Sequence, residues 1–471
     1  MKFNTKNTIK TTNYEGGMAY KLTPELELYS AVVTSTLESK FYESDSLNRI
    51  KTLIKKVDSD FVSKLAIYTR NKMFLRSIPL VLLTELAKKG DLTKDTVKQT
   101  IQRADEITEL LACYSADRKD TKKLNKLSKA ISNGIKEIFE SDKFDEYNYG
   151  KYNRKTDITL KDAIFLTHPH PLKNPNIQKL IDGTLKIPYT WETELSEKGN
   201  TKEVWEALID SNKLGYMALL RNLRNILNAE VSSTHIKHVC TILADKQKVL
   251  KSKQLPFRFL SASQSIESLD NFNTNLVLKA LETAIQHSTY NIKGFDEDTN
   301  IVIACDVSGS MMQPISQKSS IELYDIGLTL GMLFKSKCTN VLSGIFGNSF
   351  KIVNQPTDNI LSNVKHYKSI EGEVGYSTNG YKVIDHLIDN NIKADKIMMF
   401  TDCQMWDSTG WSSKSNDIQA SWSKYNKLYP EAKLYLFDLA GYGTTPVMHG
   451  NATLISGWSN EIFNVLDAVE N

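Results

Sequence analysis

Five oxygen-bearing side chains, Asp306, Ser308, Ser310, Thr378 and Asp402, sit in three short loops whose residue types suit a hard divalent cation. Residues 301–310 read I-V-I-A-C-D-V-S-G-S, an apolar strand running into Asp-x-Ser-x-Ser. Tyr376-Ser377-Thr378-Asn379-Gly380 opens a helix and offers a hydroxyl, and Phe400-Thr401-Asp402 ends a second apolar strand and offers a carboxylate. Mg²⁺ takes six oxygens in octahedral geometry and holds on to its waters. A set with few carboxylates and several hydroxyls leaves the ion short of negative charge, so an outside carboxylate or phosphate oxygen can serve as its last ligand. Ser308 and Ser310 are expected to ligate directly, with Asp306 ligating or anchoring from behind. Gly309 is expected to let the turn bring both hydroxyls inward. The competing reading has Asp306 and Ser308 merely capping a helix. Three loops in order, each at a strand end or a helix start, favour the cation.

The elements that must position these loops begin near Asn300. Apolar strands are expected at 301–305, 341–346, 350–353, 396–401, 432–438 and 452–455, with helices at 321–335, 380–390, 417–428 and 460–469 between or after them. Strands alternating with helices imply a mainly parallel sheet covered on both faces. Ligands of such sheets bind at the carboxyl ends of the strands, where the Asp306 and Asp402 loops stand. Residues 23–290 instead read as helix after helix. Leu26, Tyr29, Val32, Val33 and Leu37 recur at helical spacing, as do Leu53, Ile54, Phe61, Leu65 and Tyr68. Pro79 marks a helix start, Gly90 a stop near Lys89, and Asp91 and Thr93 the next cap. Further helices are expected at 94–113, 124–140, 160–167, 175–183, 201–210, 214–228, 231–246 and 270–288. Such a run packs most simply as a solenoid of repeats, with a compact helical bundle as the alternative. Residues 118–129 and 147–155 read as exposed basic connectors. The division is drawn as 12–295 for the helical domain and 296–471 for the metal-binding one.

Composition excludes some classes. Apolar residues make up 41% and charged residues 24% of the 471, as in an ordinary globular protein. The polar opening, Met1 to Glu25, does not read as a secretory leader, and no apolar run is long enough to span a bilayer, so a cytoplasmic protein is expected. Five cysteines without CxxC spacing argue against a disulfide framework and a zinc knuckle. Up to Asn300 there are 46 Lys and Arg against 38 Asp and Glu, a net +8, and the remainder carries −4. That asymmetry suggests different partners for the two parts. An enzyme is not expected. An Asp306 nucleophile would want a second carboxylate two residues on, and Ser308 stands there; no phosphate-cradling Gly loop or Ser/His/Asp order occurs either.

The three loops resemble the metal-ion-dependent adhesion site of von Willebrand A domains, a Rossmann-like α/β fold. Ser377 and Asn379 flank Thr378, and Gln404 follows Asp402, where some relatives carry a carboxylate. Ahead of these loops, Tyr14-Glu15-Gly16-Gly17, M-F-L-R-S-I-P (73–79), L-K-D-A-I-F-L-T-H-P-H-P (160–171), M-A-L-L-R-N-L-R-N-I-L (217–227) and L-P-F-R-F-L (255–260) stand in order. Together they resemble the TROVE module of the Ro autoantigen and its bacterial orthologues, from about Thr12 to Asn471. The resemblance implies a ring of HEAT-like helical repeats closed by the A domain. It implies small non-coding Y RNA on the outer surface and single-stranded 3′ ends of misfolded RNA in a basic cavity. In bacterial relatives it further implies an exoribonuclease tethered through the Y RNA.

RNA binding needs cations for phosphates and stacking partners for bases. Lys151-Tyr152-Asn153-Arg154-Lys155 places three cations around an aromatic, and His168 follows one helix later. By family position Lys151, Lys155 and His168 are candidates for the outer RNA surface, with Arg154 beside them. Each lysine is equally a solvated loop residue, and His168, between Thr167 and Pro169, could instead stabilise a turn. Arg70, Arg76, Arg221, Arg224 and Arg258 lie beside apolar runs. A guanidinium there lines an RNA cavity or pairs with a carboxylate between repeats. The leading expectation is a non-catalytic RNA scaffold; the alternative is an intracellular protein-binding A module that assembles a complex through its metal.

Overall fold

A computed structural model describes residues 9–35, 45–116, 127–153, 155–290, 292–316, 319–408 and 417–471. The chain divides into two compact units: Leu37–Glu197, and a second that joins Met1–Thr36 to Lys198–Asn471. The expected 295/296 division lies inside the second unit, whose helical and sheet parts pack together.

The Leu37–Glu197 unit is helical throughout its described residues. Ser59–Asn71 packs on Ser77–Lys89, and Lys94–Thr100 on Lys129–Phe139. Gly90 ends its helix in the left-handed region at φ 89°, as expected. Thr93 alone caps the next helix, its hydroxyl accepting from Thr96 N at 3.1 Å, while Asp91 accepts from Ser59 instead. Two sequence expectations need correction. The single helix at 94–113 is broken into Lys94–Thr100 and Asp105–Ala116. Buried Glu106 holds the break, its Oε2 accepting from Gln102 N at 2.7 Å and Arg103 N at 3.2 Å. The connector expected at 147–155 is a helix at Glu146–Tyr152, capped by Asp145 and anchored by buried Tyr149, which stacks on Phe139 at 5.8 Å.

In the second unit, helices Lys202–Asp210, Tyr216–Asn228, Ser233–Leu243, Lys246–Ser252, Phe257–Ile266 and Thr274–Ser288 precede the sheet. Its strands are β3 (Ile301–Asp306), β4 (Val341–Phe346), β5 (Phe350–Ile352), β6 (Lys396–Thr401), β7 (Lys433–Asp438) and β9 (Ala452–Ser456), ordered β5-β4-β3-β6-β7-β9. Only β5 runs antiparallel within this sheet. The chain builds outward from β3 through β4, then returns to the other side of β3 with β6. This is the topological switch point, where such sheets place ligands. Helix Leu323–Lys335, buried along its whole length, packs on β3 and β6. Stacked Phe400–Phe437 (4.4 Å) and Phe334–Phe463 (5.1 Å) fill the other spaces.

An amino-terminal hairpin, β1 (Lys10–Thr12) and β2 (Met18–Lys21), was not expected from its polar sequence. It pairs with β8 (Thr444–Thr445) in a separate small sheet, Tyr20 opposite Thr445. Helix Pro24–Val33 follows and packs on β9. All five cysteines are free and buried, as apolar filling would have them.

Candidate metal centre and nucleic-acid interface

The three polar loops converge at the switch point. Gly309 N donates to Tyr376 O at 2.9 Å, joining the first loop to the second, and Trp406 N donates to Thr378 O at 3.2 Å, joining the third. Thr401 Oγ1 donates to Asp306 Oδ2 at 2.6 Å across the two strand ends. The Ser308 and Ser310 hydroxyls lie 3.2 Å apart. Gly309 is not in the left-handed region; its amide contact with Tyr376, rather than special backbone freedom, sets the turn. Cys403 does carry the strain, at φ 61°, costing about 1–3 kcal/mol. That twist folds the third loop back on Asp402.

Three carboxylates stand at adjacent strand ends, and their partners differ. Asp438 is saturated: Oδ1 accepts from Ala440 N and Gly441 N, and Oδ2 from Ser30 Oγ at 2.5 Å and Ser456 Oγ at 3.4 Å. Asp306 has both oxygens engaged, by Ser308 N at 2.9 Å and by Thr401. Asp402 has Oδ1 bonded to Gln404 N at 2.9 Å, while its Oδ2 is buried with no hydrogen-bond partner. An orphaned buried carboxylate oxygen is costly unless something cationic meets it. Burial, reinforced by the charge of Asp402, raises the pKa of Asp306. Burial also raises Asp402, opposed by the Gln404 amide and the Ser310 hydroxyl and aided by Asp438 and Glu15. A divalent cation would reverse that cost, and the set of hydroxyls around one free carboxylate oxygen fits it. Among the described residues no cluster of three or more His, Cys, Asp or Glu suits a metal; the oxygens brought together here come mostly from hydroxyls.

The nucleic-acid candidates separate by environment. Arg70 is buried, its guanidinium meeting Glu106 Oε1 at 2.9 Å (Nε) and 2.8 Å (Nη2). Arg76 bonds Asp105 and Glu109, both at 3.1 Å. For these two, the carboxylate-pairing alternative is what the geometry displays. Arg221 and Arg224 lie exposed one turn apart on Tyr216–Asn228. Arg258 starts the neighbouring helix Phe257–Ile266, where burial and then the charge of Arg221 lower its pKa. No carboxylate among the described residues pairs with these three.

In the other unit, Lys151 lies 5.6 Å from the Tyr152 ring, whose face also meets Arg103 at 4.4 Å. Lys155 is exposed, and Arg154 lies outside the described residues. His168 ends helix Leu160–Thr167 at φ 49°, its amide donating to Ile164 O at 2.9 Å. It therefore has the turn role, and its ring stays exposed. The same helix holds a residue that sequence reasoning passed over. Phe165 is 54% exposed, four residues after Lys161 and three before His168. The signal was available: Leu160, Ala163, Ile164 and Thr167 form the buried stripe, and Phe165 is out of phase with it.

Residues 178–319, which contain the three unpaired arginines, match the TROVE domain family model. Telomerase protein component 1 of Mus musculus is 49% identical over 86 residues, and that of Rattus norvegicus 48% over 86. Each match takes in 18% of this chain and 3% of the relative's length, so most of those proteins has no counterpart here. The crystal structure of the Deinococcus radiodurans Ro (RSR) protein superposes with a TM-score of 0.61 at 16% identity, covering 95% of this chain and 99% of that one. The chain thus carries a segment similar to the TROVE domain on a fold similar to that of a Ro protein.

Proposed function

We propose that the chain is a non-catalytic RNA-binding protein of the bacterial Ro type, acting in the cytoplasm, with HEAT-like helical repeats and a von Willebrand A-type module. In this reading the exposed surface bearing Lys151, Lys155, Phe165 and His168 takes a Y-like small RNA. Arg221, Arg224 and Arg258 take the phosphates of a single-stranded 3′ end of misfolded RNA. The Y-like RNA would in turn hold an exoribonuclease. One observation carries the reading: three guanidiniums without carboxylate partners among the described residues lie inside the segment matching the TROVE domain. Charges of one sign held close without neutralisation favour an anionic ligand, and phosphates supply one. Exposed aromatics next to cations suit unstacked bases.

A Mg²⁺ ion held by Ser308, Ser310, Thr378 and Asp402, with Asp306 anchoring the first loop, would supply a positive charge open to one further oxygen ligand. A mobility-shift series against RNA with and without a single-stranded 3′ tail tests the main reading. Tailed RNA should bind more tightly, with affinity falling steeply as salt rises; equal binding to a blunt duplex would refute it.

A second reading, a protein-binding module that assembles a complex through the cation, has Tyr376 (50% exposed) and Trp406 (38%) in its favour, both flanking the cation loops. Exposed aromatics are enriched at protein interfaces. A pull-down that loses proteins in EDTA yet keeps RNA would support it.

A further inference from the structure

The amino-terminal hairpin is fastened to the third cation loop by contacts that its two strands do not need. Asn13 Nδ2 donates to Met405 O at 2.7 Å, and Tyr14 N donates to Gln404 Oε1 at 2.8 Å. Gln404 is itself the residue whose amide holds Asp402 Oδ1. The Tyr14 ring meets Tyr442 edge-on at 5.2 Å. At Gly17 an added Cβ would come within 2.2 Å of Met405 O, so the hairpin backbone approaches the loop as closely as glycine alone permits. Between these segments, a cavity of about 190 Å³ is lined by Gly16–Met18, Gly380 and Met405–Asp407, among others. It is roomy enough for several ordered waters.

Glu15 sits at the tip of this hairpin, between Tyr14 and Gly16, and is exposed. Tyr14 and Gly17, on either side of it, are hairpin residues that touch the third loop, through Gln404 Oε1 and Met405 O. Glu15 and the strand-end aspartates do not form a close three-carboxylate cluster, so direct ligation is not what the spacing offers. Mg²⁺ keeps several of its waters, and carboxylates that accept hydrogen bonds from such waters tune the ion from outside. Asp402 Oδ2, buried and without a partner, marks where the ion would sit.

We propose that Glu15 is the latch of the cation site, its carboxylate accepting hydrogen bonds from the waters of a divalent cation held at Asp402, Ser308, Ser310 and Thr378. Cation binding then fastens the hairpin to the third loop. Glu15 thereby supplies, from the other end of the chain, a negative charge that Asn379 and Gln404 do not. The inference rests on the cation reading above, and its test separates the two.

The experiment uses the full chain, with Mg²⁺ and Mn²⁺ titrated by calorimetry and amide exchange followed across residues 10–21. In the wild type, saturating cation should protect the amides of residues 13–17. Glu15→Gln should weaken cation binding by about tenfold and remove that protection. Glu25→Gln, an exposed glutamate on the next helix, should match the wild type and so control for net charge. Asp402→Asn should abolish binding. Wild-type affinity and protection in Glu15→Gln, with binding lost in Asp402→Asn, would overturn the latch and leave the cation reading standing. Failure of the wild-type chain to bind either cation would overturn both.

Discussion

Two groups of arginines occupy similar sequence contexts, each beside apolar helical runs, and end in opposite states. In the Leu37–Glu197 unit, Arg70 and Arg76 face Glu106, Asp105 and Glu109 from the next helix pair. On helices Tyr216–Asn228 and Phe257–Ile266, Arg221, Arg224 and Arg258 face no carboxylate among the described residues, and Arg221 lies near Arg258. A guanidinium is always charged, so it needs a counter-charge from the protein or from a ligand. Which one it takes depends on the helix opposite, and so does its role: internal brace or binding surface.

Removing the brace should have the largest effect. Glu106→Ala leaves Arg70 buried without its partner and frees the Gln102 and Arg103 amides; the loss should be about 3–5 kcal/mol in urea unfolding. A loss below about 1 kcal/mol would make Arg70 a surface cation after all and erase the contrast. Replacing Arg221, Arg224 and Arg258 together by alanine should leave the unfolding midpoint nearly unchanged. It should weaken tailed-RNA binding about a hundredfold at low salt and make the log–log salt dependence shallower by about two units. A stability loss equal to that of Glu106→Ala would place these arginines among the braces.

Smaller effects test the other surface. Phe165→Ala should cost about 1–3 kcal/mol in binding of the small RNA, as the loss of one stacked base does, with little change in stability. His168→Gly relieves a left-handed non-glycine residue and should raise stability by under about 1 kcal/mol. If the imidazole touches RNA, binding should fall in that same variant; unchanged binding would leave His168 only its turn.

The placement of the three polar loops could be read from the chain because each lies next to the strand or helix that positions it. Asp306 and Asp402 follow runs of buried residues, and the switch point follows from strand order. What could not be read depends on partners distant in sequence. The break after Thr100 exists because Glu106 turns inward to Arg70, and helix Glu146–Tyr152 exists because Tyr149 finds Phe139. No periodicity over 94–113 or 147–155 carries those facts. The sequence leaves the state of each arginine open for the same reason, since a carboxylate opposite is a tertiary property. Helix Phe257–Ile266 shows no clear helical periodicity in the sequence, because Ser261, Ser263 and Ser265 dilute its apolar stripe.

The bond from Ser30 to Asp438 spans 408 residues, and β2 waits for Thr444 and Thr445 to gain its second neighbour. During synthesis, therefore, residues 10–33 leave the ribosome long before the strands that hold them. Residues 37–197 can bury their own core early, whereas Leu26, Leu28 and Val32, all buried in the finished protein, stay uncovered until β9 emerges. Contacts of such long separation form slowly, and apolar surface left bare in the meantime is prone to association. A nascent chain stalled before residue 452 should thus need a chaperone at residues 24–33.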